Sequence, residues 1–160
     1  MIEIIGHEGT SEYEAAIALK EAFTKMWPGC ESTPTSQDDI RIAVSVKISG
    51  YRVSDVDIVF FCKFGRARKF VPTYPVNDKQ GQPVRNRAVV VQNLIVAVEV
   101  KDHSENRVRR TGDRIDVRYN NRDKWHSATD QNVNQVHSLK NYLKDKAIDQ
   151  YVQRLSLIHI

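Results

Sequence analysis

Cysteine is scarce in this sequence. The 160 residues contain only two, Cys30 and Cys62. Their separation matches neither the short spacing of cysteine metal ligands nor the dense cysteine framework of a disulfide-stabilised secreted domain. We therefore expect both to be reduced thiols without a chemical role, and the disulfide-rich class of protein is excluded.

Long apolar runs and targeting signals are also missing. No run approaches the roughly 20 apolar residues that a membrane-spanning helix needs. The N-terminus, Met-Ile-Glu-Ile-Ile-Gly, lacks the basic start and small-residue cleavage site of a signal peptide. With 41% hydrophobic and 28% charged residues, the composition is typical of a soluble domain, so we expect a cytoplasmic protein that does not bind membranes.

The length predicts one domain, residues 1–154, with a single core. The last six residues, 155–160, match what one frame of a transposon-based sequencing-library adapter encodes. We therefore expect these residues to be a non-native tail and the natural chain to be truncated near Arg154. A truncated chain would have lost whatever domain followed.

Several catalytic signatures are absent. The seven glycines do not form a glycine-rich phosphate loop, and no serine or cysteine lies in a nucleophile-elbow context. His103, His126 and His137 do not show the spacing of a histidine metal site. We found no internal repeat and no low-complexity tract. Chemistry in this chain must therefore come from other residue types.

Positive charge is concentrated in residues 63–87, here called the basic segment. It contains one acidic residue, Asp78, and seven basic ones: Lys63, Arg66, Arg68, Lys69, Lys79, Arg85 and Arg87. Such a segment indicates either a surface that binds a polyanion such as DNA or a solvated basic loop. Composition leaves both interpretations open.

The first helix is predicted to begin after an N-cap at Thr10 or Ser11 and to end before Pro28. Its apolar stripe recurs at spacings of three and four: Ala15, Ala16, Leu19, Ala22, Phe23 and Met26. Glu12 falls on this stripe. A carboxylate there either stabilises the positive end of the helix dipole or points into a site.

Two strands are predicted next. Residues 40–48 alternate between apolar and polar side chains, as in a half-buried strand, and residues 51–62 return after a turn. Asp55 and Asp57 interrupt an otherwise apolar face of the second strand. Asp57 lies nearer the apolar end, so it is harder to explain as a surface residue.

The remaining elements complete an α/β pattern. Residues 63–93 predict an extra hairpin or excursion, residues 94–101 a central strand, residues 107–110 a charged loop and residues 115–119 a short strand. A last helix should start from an N-cap at Asp130 or Asn132. This order predicts a mixed central sheet flanked by helices.

Residues 94–101 carry the strongest chemical signal. Five apolar residues precede Glu99, Val100 and Lys101, which predicts a strand buried on both faces with ionisable groups at its end. Because side chains alternate along a strand, Glu99 and Lys101 share a face. They are either a catalytic pair or an ordinary surface pair where the strand emerges into solvent.

Polar residues on other elements favour the catalytic interpretation. Asp57, Glu12 and Gln135 each fall where a polar group is least expected, and one shared site with Glu99 and Lys101 would explain all of them. Two carboxylates and a backbone carbonyl such as that of Val100 offer oxygen ligands to Mg²⁺. The ion would activate a bound water, and the lysine would orient it or stabilise negative charge. This arrangement predicts phosphodiester hydrolysis.

These residues resemble a known family. The pattern of Asp57 followed by Glu99-Val100-Lys101 on consecutive strands after a helix resembles the PD-(D/E)XK nuclease superfamily. More narrowly, the chain is similar to the nuclease-related domain, NERD. The similar motifs cover most of residues 9–143: Gly9-Thr-Ser-Glu12, Asp57-Ile-Val-Phe, Val-Ala-Val-Glu99-Val-Lys101, Gly112, Trp125 and Asn132-Val-Asn-Gln135-Val.

The resemblance implies a restriction-endonuclease-like core with the order α-β-β-β-α-β and a metal-dependent deoxyribonuclease that uses Mg²⁺ or Mn²⁺. It implies that Asp57 and Glu99 bind the metal, that Lys101 is the catalytic lysine, and that Glu12 and Gln135 support the site. The resemblance also implies that the protein acts on DNA, in repair, recombination or defence. The domain lost by truncation would then be a helicase or another partner domain.

A second function fits the same residues. The domain would then bind nucleic acid through Lys63, Arg66, Arg68, Lys69, Arg85 and Arg87, without turnover, as a module of a larger helicase or ATPase-type protein. Both functions predict DNA binding that weakens with salt. They differ in whether the carboxylates are needed for cleavage.

Overall fold

The computed structural model describes residues 2–26, 37–69, 88–119 and 124–147 with their side chains, and the backbone alone of residues 70, 76–77, 83–84 and 148–156. The elements follow in the order β1 (Ile2–Ile5), α1 (Ser11–Met26), β2 (Asp39–Lys47), β3 (Asp55–Phe70), β4 (Val76–Asn77), β5 (Pro83–Val84), β6 (Val89–Val98), a 3-10 turn (Glu105–Arg107), β7 (Val108–Thr111), β8 (Arg114–Arg118), β9 (Trp125–Ser127) and α2 (Ala128–Ser156).

The central sheet is mixed, as predicted. Its strand order is β1-β2-β3-β6, with β1 parallel to β2 and the other neighbours antiparallel. The α/β fold with a mixed sheet and two helices is therefore confirmed. Strand β1 was not predicted, because four residues at a chain end carry too little periodicity to identify a strand.

Each face of the sheet carries its own apolar cluster. Helix α1 packs through Ala16 against the side chains of Ile40, Ile42, Ile58, Phe60, Cys62 and Phe64. Helix α2 packs through Leu139 against Val59 and Ala97. Since side chains alternate along a strand, every other residue of β3 and β6 faces α2.

Helix α1 begins as predicted. The Thr10 hydroxyl oxygen accepts a hydrogen bond from the Tyr13 backbone N–H at 3.1 Å, which is the geometry of an N-cap. The acidic residues Glu12 and Glu14 lie in the first turn, near the positive end of the helix dipole. The prediction of Thr10 as one of two candidate caps is confirmed.

The central position predicted for the strand at residues 94–101 is wrong. Among the described strands, β6 pairs only with β3, whereas β2 and β3 each have two neighbours. Ile95 is 50% exposed and Val96 is 37% exposed. An apolar run shows that a strand is covered in part, but it does not report how many neighbours the strand has. The strand also ends at Val98, so Glu99 and Lys101 lie just beyond it.

The basic segment begins as a continuation of β3. This strand runs to Phe70 rather than ending at Cys62, with a register shift between Lys63 and Arg68 where it pairs with β6. The short strands β4 and β5 then pair antiparallel, so the predicted extra hairpin is confirmed. Residues Lys79, Arg85 and Arg87 lie outside the described residues.

The second sheet differs from prediction. Residues 108–111, predicted as part of a charged loop, form β7, which turns at Gly112 (φ +63°) into β8. Strand β8 confirms the predicted short strand, and β9 completes the order β7-β8-β9. No strand signal marked β7 in the sequence, because this strand is exposed along its length and has no apolar face.

Helix α2 starts earlier than predicted. The Ser127 hydroxyl oxygen accepts a hydrogen bond from the Asp130 N–H at 3.0 Å, so Ser127 is the cap, not Asp130 or Asn132. The implied order α-β-β-β-α-β also differs from what the described residues show, since no strand follows α2 there. Neither α1 nor the described part of α2 combines the length and apolar character needed to span a membrane.

Cys62 gives a prediction that tests the core directly. It is buried under α1, and burial raises the pKa of its thiol to about 12, so almost none of it is thiolate near neutral pH. We expect Cys62 to resist iodoacetamide in the folded protein and to react within minutes in denaturant, measured by peptide mass spectrometry. Rapid labelling of Cys62 in the native protein would contradict this packing. Cys30 lies outside the described residues.

Candidate functional site

The strand register brings Asp57 and Glu99 together. Ile58 pairs with Val98 in the β3–β6 ladder, so continuing the same register by one step places Asp57 opposite Glu99. Directly opposed residues of an antiparallel pair share a face. The Val100 N–H donates a hydrogen bond to Asp57 Oδ2 at 2.8 Å, which holds the two chain segments together beyond the end of the ladder.

Glu99 is the buried carboxylate of this site. Its side chain is 5% exposed, it forms an ion pair with Lys101, and it accepts a hydrogen bond from the Gln135 side-chain amide. Burial raises the pKa of Glu99, and the charge of the nearby Asp57 raises it further. The two partners oppose this effect without cancelling it, so the site retains unfavourable negative charge.

Lys101 lies at the opening of the site. Its side chain is 20% exposed, so solvent reaches the ammonium group. Burial alone would lower the pKa of Lys101, but the Glu99 carboxylate outweighs that effect and the pKa is raised. The Tyr119 hydroxyl also contacts the ammonium group. Lys101 is therefore a permanent cation at neutral pH, able to donate hydrogen bonds to an anion.

Helix α2 supplies the amide that orients Glu99. Gln135 is 1% exposed and faces the sheet one turn before Leu139, which anchors the helix in the core. Three residues after Gln135 on the same helix, the Ser138 hydroxyl oxygen accepts a hydrogen bond from the Val53 N–H at 3.2 Å. The sequence prediction placed Gln135 near the buried side of this helix, and that placement is confirmed.

Not every predicted residue joins this group. Helix α1 packs on the opposite face of the sheet from Asp57 and Glu99, and Glu12 makes no hydrogen bond or ion pair with another described residue. Its role at the site stays a prediction. In the basic segment, Lys63, Arg66 and Lys69 are exposed, whereas Arg68 pairs with Asp38 and lies 5.1 Å from the centre of the Phe64 ring.

Two histidines and a tyrosine adjoin the site although no sequence motif indicated them. The ring of Tyr119 meets that of His103 edge-on at 5.0 Å and that of His126 at 5.5 Å between centroids. The three residues come from the segment after β6, the segment after β8 and β9. The pairing of β8 with β9, which places His126 opposite Val117, brings His126 close to Tyr119.

The β7-β8-β9 sheet that supplies these rings is held by arginines. Asp116 accepts hydrogen bonds from Arg109 at 2.8 Å and Arg114 at 3.0 Å. These bonds, from Arg109 first and then from Arg114, hold the pKa of Asp116 below its ordinary value. Arg109 also lies 4.6 Å from the centre of the Trp125 ring, a cation–π contact that joins β7 to β9.

Several buried polar atoms among the described residues are unpaired. The buried atoms Gln135 Oε1, Asn132 Oδ1, His103 Nε2 and His126 Nε2 have no hydrogen-bond partner within the part of the chain that the structure describes. Each unpaired buried group costs about 1–3 kcal/mol, so native proteins rarely keep them without a ligand, ion or water. One of these atoms, Gln135 Oε1, belongs to the side chain that binds Glu99, so the candidate site includes an acceptor without a partner among the described residues.

The donor set fits a hard cation with few protein ligands. Asp57 and Glu99 offer carboxylate oxygens, and Val100, whose N–H donates a hydrogen bond to Asp57, offers a backbone carbonyl. Mg²⁺ is typically bound by one or two carboxylates and keeps several waters. An all-protein site does not fit, because no group of three or more His, Cys, Asp or Glu side chains among the described residues could hold an ion. A cation would favour the charged form of Glu99, whose pKa is raised first by burial and further by the charge of Asp57.

Comparison of the chain with protein-family models, with curated proteins and with solved structures found no match.

Proposed function

We propose that this protein is a metal-dependent nuclease that hydrolyses DNA phosphodiester bonds on a restriction-endonuclease-like core. The observation that carries the proposal is the juxtaposition of Asp57 and Glu99 where the β3–β6 ladder ends, with Lys101 paired to the buried Glu99. Two facing carboxylates and a cation in a partly exposed position are the groups that metal-assisted phosphodiester hydrolysis requires.

Each residue has a distinct role in this proposal. Asp57 and Glu99 would hold Mg²⁺, with the Val100 carbonyl as a further ligand, and the ion when bound lowers the pKa of water and neutralises charge on the phosphate. Lys101 donates hydrogen bonds to the attacking water or to a phosphate oxygen. Gln135 acts on Glu99, because its amide holds one carboxylate oxygen in a single orientation.

The surroundings support a nucleic-acid substrate. Lys63, Arg66 and Lys69 are exposed on β3, and Arg109 and Arg118 lie over the Trp125 ring on the β7-β8-β9 sheet. Phosphate contacts from such side chains provide most sequence-independent affinity for DNA. The proposed setting is DNA repair, recombination or defence, alongside a helicase or other domain.

A pair of matched variants tests the metal site. We expect Asp57→Asn to abolish detectable Mg²⁺-dependent cleavage and to weaken Mn²⁺ binding, because it removes a ligand while keeping the side-chain shape. Asp55→Asn is the control, since Asp55 lies two residues away on the same strand but is exposed and paired with Lys47. Cleavage is measured on labelled linear and circular DNA, and Mn²⁺ binding by electron paramagnetic resonance.

The result separates the two candidate functions. Cleavage that needs Mg²⁺ or Mn²⁺, stops with a chelator and is lost only in Asp57→Asn supports the nuclease. Cutting of circular DNA would identify an endonuclease. Salt-sensitive DNA binding without cleavage, unchanged or tightened by Asp57→Asn, would contradict the nuclease proposal and favour a catalytically silent binding module.

A further inference from the structure

Strand β3 carries a large bulge at the start of the basic segment. Lys63 pairs with Asn93 of β6, but the next pair joins Arg68 to Val91, so four residues of β3 face a single residue of β6. A bulge bends its strand and redirects the residues that follow it. We call the pairs beyond this bulge the arm: residues 68–70 of β3 with residues 89–91 of β6.

Asp38 holds the bulge in place. Its Oδ1 atom accepts a hydrogen bond from the Gly65 N–H at 2.9 Å, and its Oδ2 atom accepts one from the Arg68 guanidinium group. The Asp38 side chain is only 10% exposed. A Cβ atom on residue 65 would clash with the Gln37 side chain, so glycine is needed for this close approach. One carboxylate therefore ties both the bulge and the first residue of the arm to the segment before β2.

The arm extends beyond the start of β2. Strand β2 begins at Asp39, which pairs with Lys63, and no described strand pairs with the arm on that side. A two-stranded β-structure alone is at best marginally stable in water, so the contacts at its base decide how it is held. Arg68 makes a second contact there, because its guanidinium group lies 5.1 Å from the centre of the buried Phe64 ring. Asp38 and Phe64 thus hold Arg68 from two sides.

Charge and shape favour DNA as the partner of the arm. Arg66 in the bulge and Lys69 in the arm are exposed. Residues 63–69 contain no acidic residue, and residues 88–98 contain no charged residue. Arg68 is paired with Asp38, so Arg66 and Lys69 are the cations that the arm offers to a polyanion. The major groove of B-DNA admits a two-stranded β-ribbon, which is the shape of the arm.

The arm and the candidate site lie at opposite ends of β6. Val90 pairs with Lys69 in the arm, whereas Val98 pairs with Ile58, the neighbour of Asp57. The strand between these two pairs spans about 27 Å at about 3.4 Å per residue. Variants of the arm therefore leave the proposed metal ligands untouched, and their effects on DNA binding can be measured separately from cleavage.

We propose that the arm is a DNA-binding element and that Asp38 positions it, so that Arg66 and Lys69 contact backbone phosphates of a duplex. That this duplex is also the substrate of the candidate site rests on the proposed function. Asp38 acts through Gly65 and Arg68 and does not itself touch the DNA. Removal of its negative charge should therefore weaken DNA binding, although lowering the negative charge of a protein ordinarily strengthens it.

Asp38→Asn tests this inference through the sign of its effect. Asparagine can still accept the Gly65 hydrogen bond but no longer forms the ion pair with Arg68. We expect about five- to tenfold weaker binding of a fluorescein-labelled duplex, measured by anisotropy with a chelator present. Asp39→Asn is the control, because it removes an adjacent exposed carboxylate that pairs with Arg41, and it should bind DNA at least as tightly as wild type. Thermal unfolding shows whether each variant is folded.

A double-mutant cycle separates positioning from a general structural effect. Arg66→Gln with Lys69→Gln should weaken binding and reduce the slope of log affinity against log salt by about two, because two phosphate contacts are lost. Adding Asp38→Asn to this protein should cause no further loss, since Asp38 acts through the arm. Lys25→Gln, at the end of α1, is the charge control and should leave the affinity nearly unchanged.

The opposite outcomes would overturn the inference. These are binding by Asp38→Asn that equals or exceeds that of wild type, an equal loss in Asp39→Asn, a full further loss when Asp38→Asn is added to the doubly substituted arm, or no binding of duplex DNA at all. In the cleavage assay, Asp38→Asn should raise KM with little change in kcat, because the arm is remote from the reacting bond. A protein that shows the binding effects without cleavage keeps the arm and loses the nuclease. One that cuts DNA with unchanged affinity in Asp38→Asn keeps the nuclease and loses the arm.

Discussion

Lys101→Met is expected to slow Mg²⁺-dependent DNA cleavage by about 10²–10³-fold, the usual effect of removing one donor that stabilises charge in a transition state. Lys101 is the cation in contact with the buried Glu99, and it is exposed enough to touch a substrate. Methionine retains the long apolar stem of lysine, so a slower cleavage rate would result from the missing ammonium group. Initial rates under single-turnover conditions provide the measurement.

Two companion variants make this result interpretable. Lys101→Arg keeps the charge but changes its shape, and we expect an intermediate rate because a planar guanidinium does not replace a compact ammonium group. Lys47→Met removes a lysine that also pairs with a carboxylate, Asp55, but on the surface, and should cut DNA at the wild-type rate. Equal rates for Lys101→Met and wild type would refute the role of Lys101.

Phe60→Ala should lower the free energy of unfolding by about 3–5 kcal/mol, a large part of the roughly 5–15 kcal/mol typical of a domain. Phe60 lies on β3, which has two neighbouring strands, and its ring stacks on Phe23 of α1 with centroids 4.1 Å apart. Truncation to alanine removes this contact and leaves a cavity beneath α1. Urea denaturation followed by circular dichroism measures the change.

Exposed valine provides the contrast. Val90 is 68% exposed on β6. Val90→Ala should therefore lower the free energy of unfolding by less than about 0.5 kcal/mol. Leucine fills much of the volume of phenylalanine, so Phe60→Leu should lower the free energy of unfolding by more than Val90→Ala but by less than Phe60→Ala. If Phe60→Ala and Val90→Ala were destabilised equally, α1 would not pack on the sheet as described, and the opposite faces assigned to α1 and α2 would be wrong.

Local pattern was sufficient for much of the fold. The period of the apolar residues predicted α1, its cap at Thr10 was visible in the residue type, and strict alternation predicted β2. Turn residues indicated the excursion that contains β4 and β5. These features depend on interactions between residues close in the chain, so a single sequence carries them.

The candidate site was predicted only in part. Asp57, Glu99 and Lys101 stood out because charge is costly within apolar strands, and Gln135 because of its place on the helix. His103, Tyr119 and His126 gave no such signal, since each lies in a polar stretch and they are separated in the chain. The register between β8 and β9 brings His126 close to Tyr119, and no local pattern encodes that register.

By itself, then, the sequence determined the α/β class, the main helices and strands, and the polar residues that an apolar strand cannot bury without a partner. The tertiary structure decided that β2 and β3, and not β6, are the inner strands among those described, because strand order depends on which edges meet in space. It also decided that Asp57 faces Glu99 and that two histidines flank Tyr119. Such contacts join residues from distant parts of the chain, and packing of the whole sheet selects them.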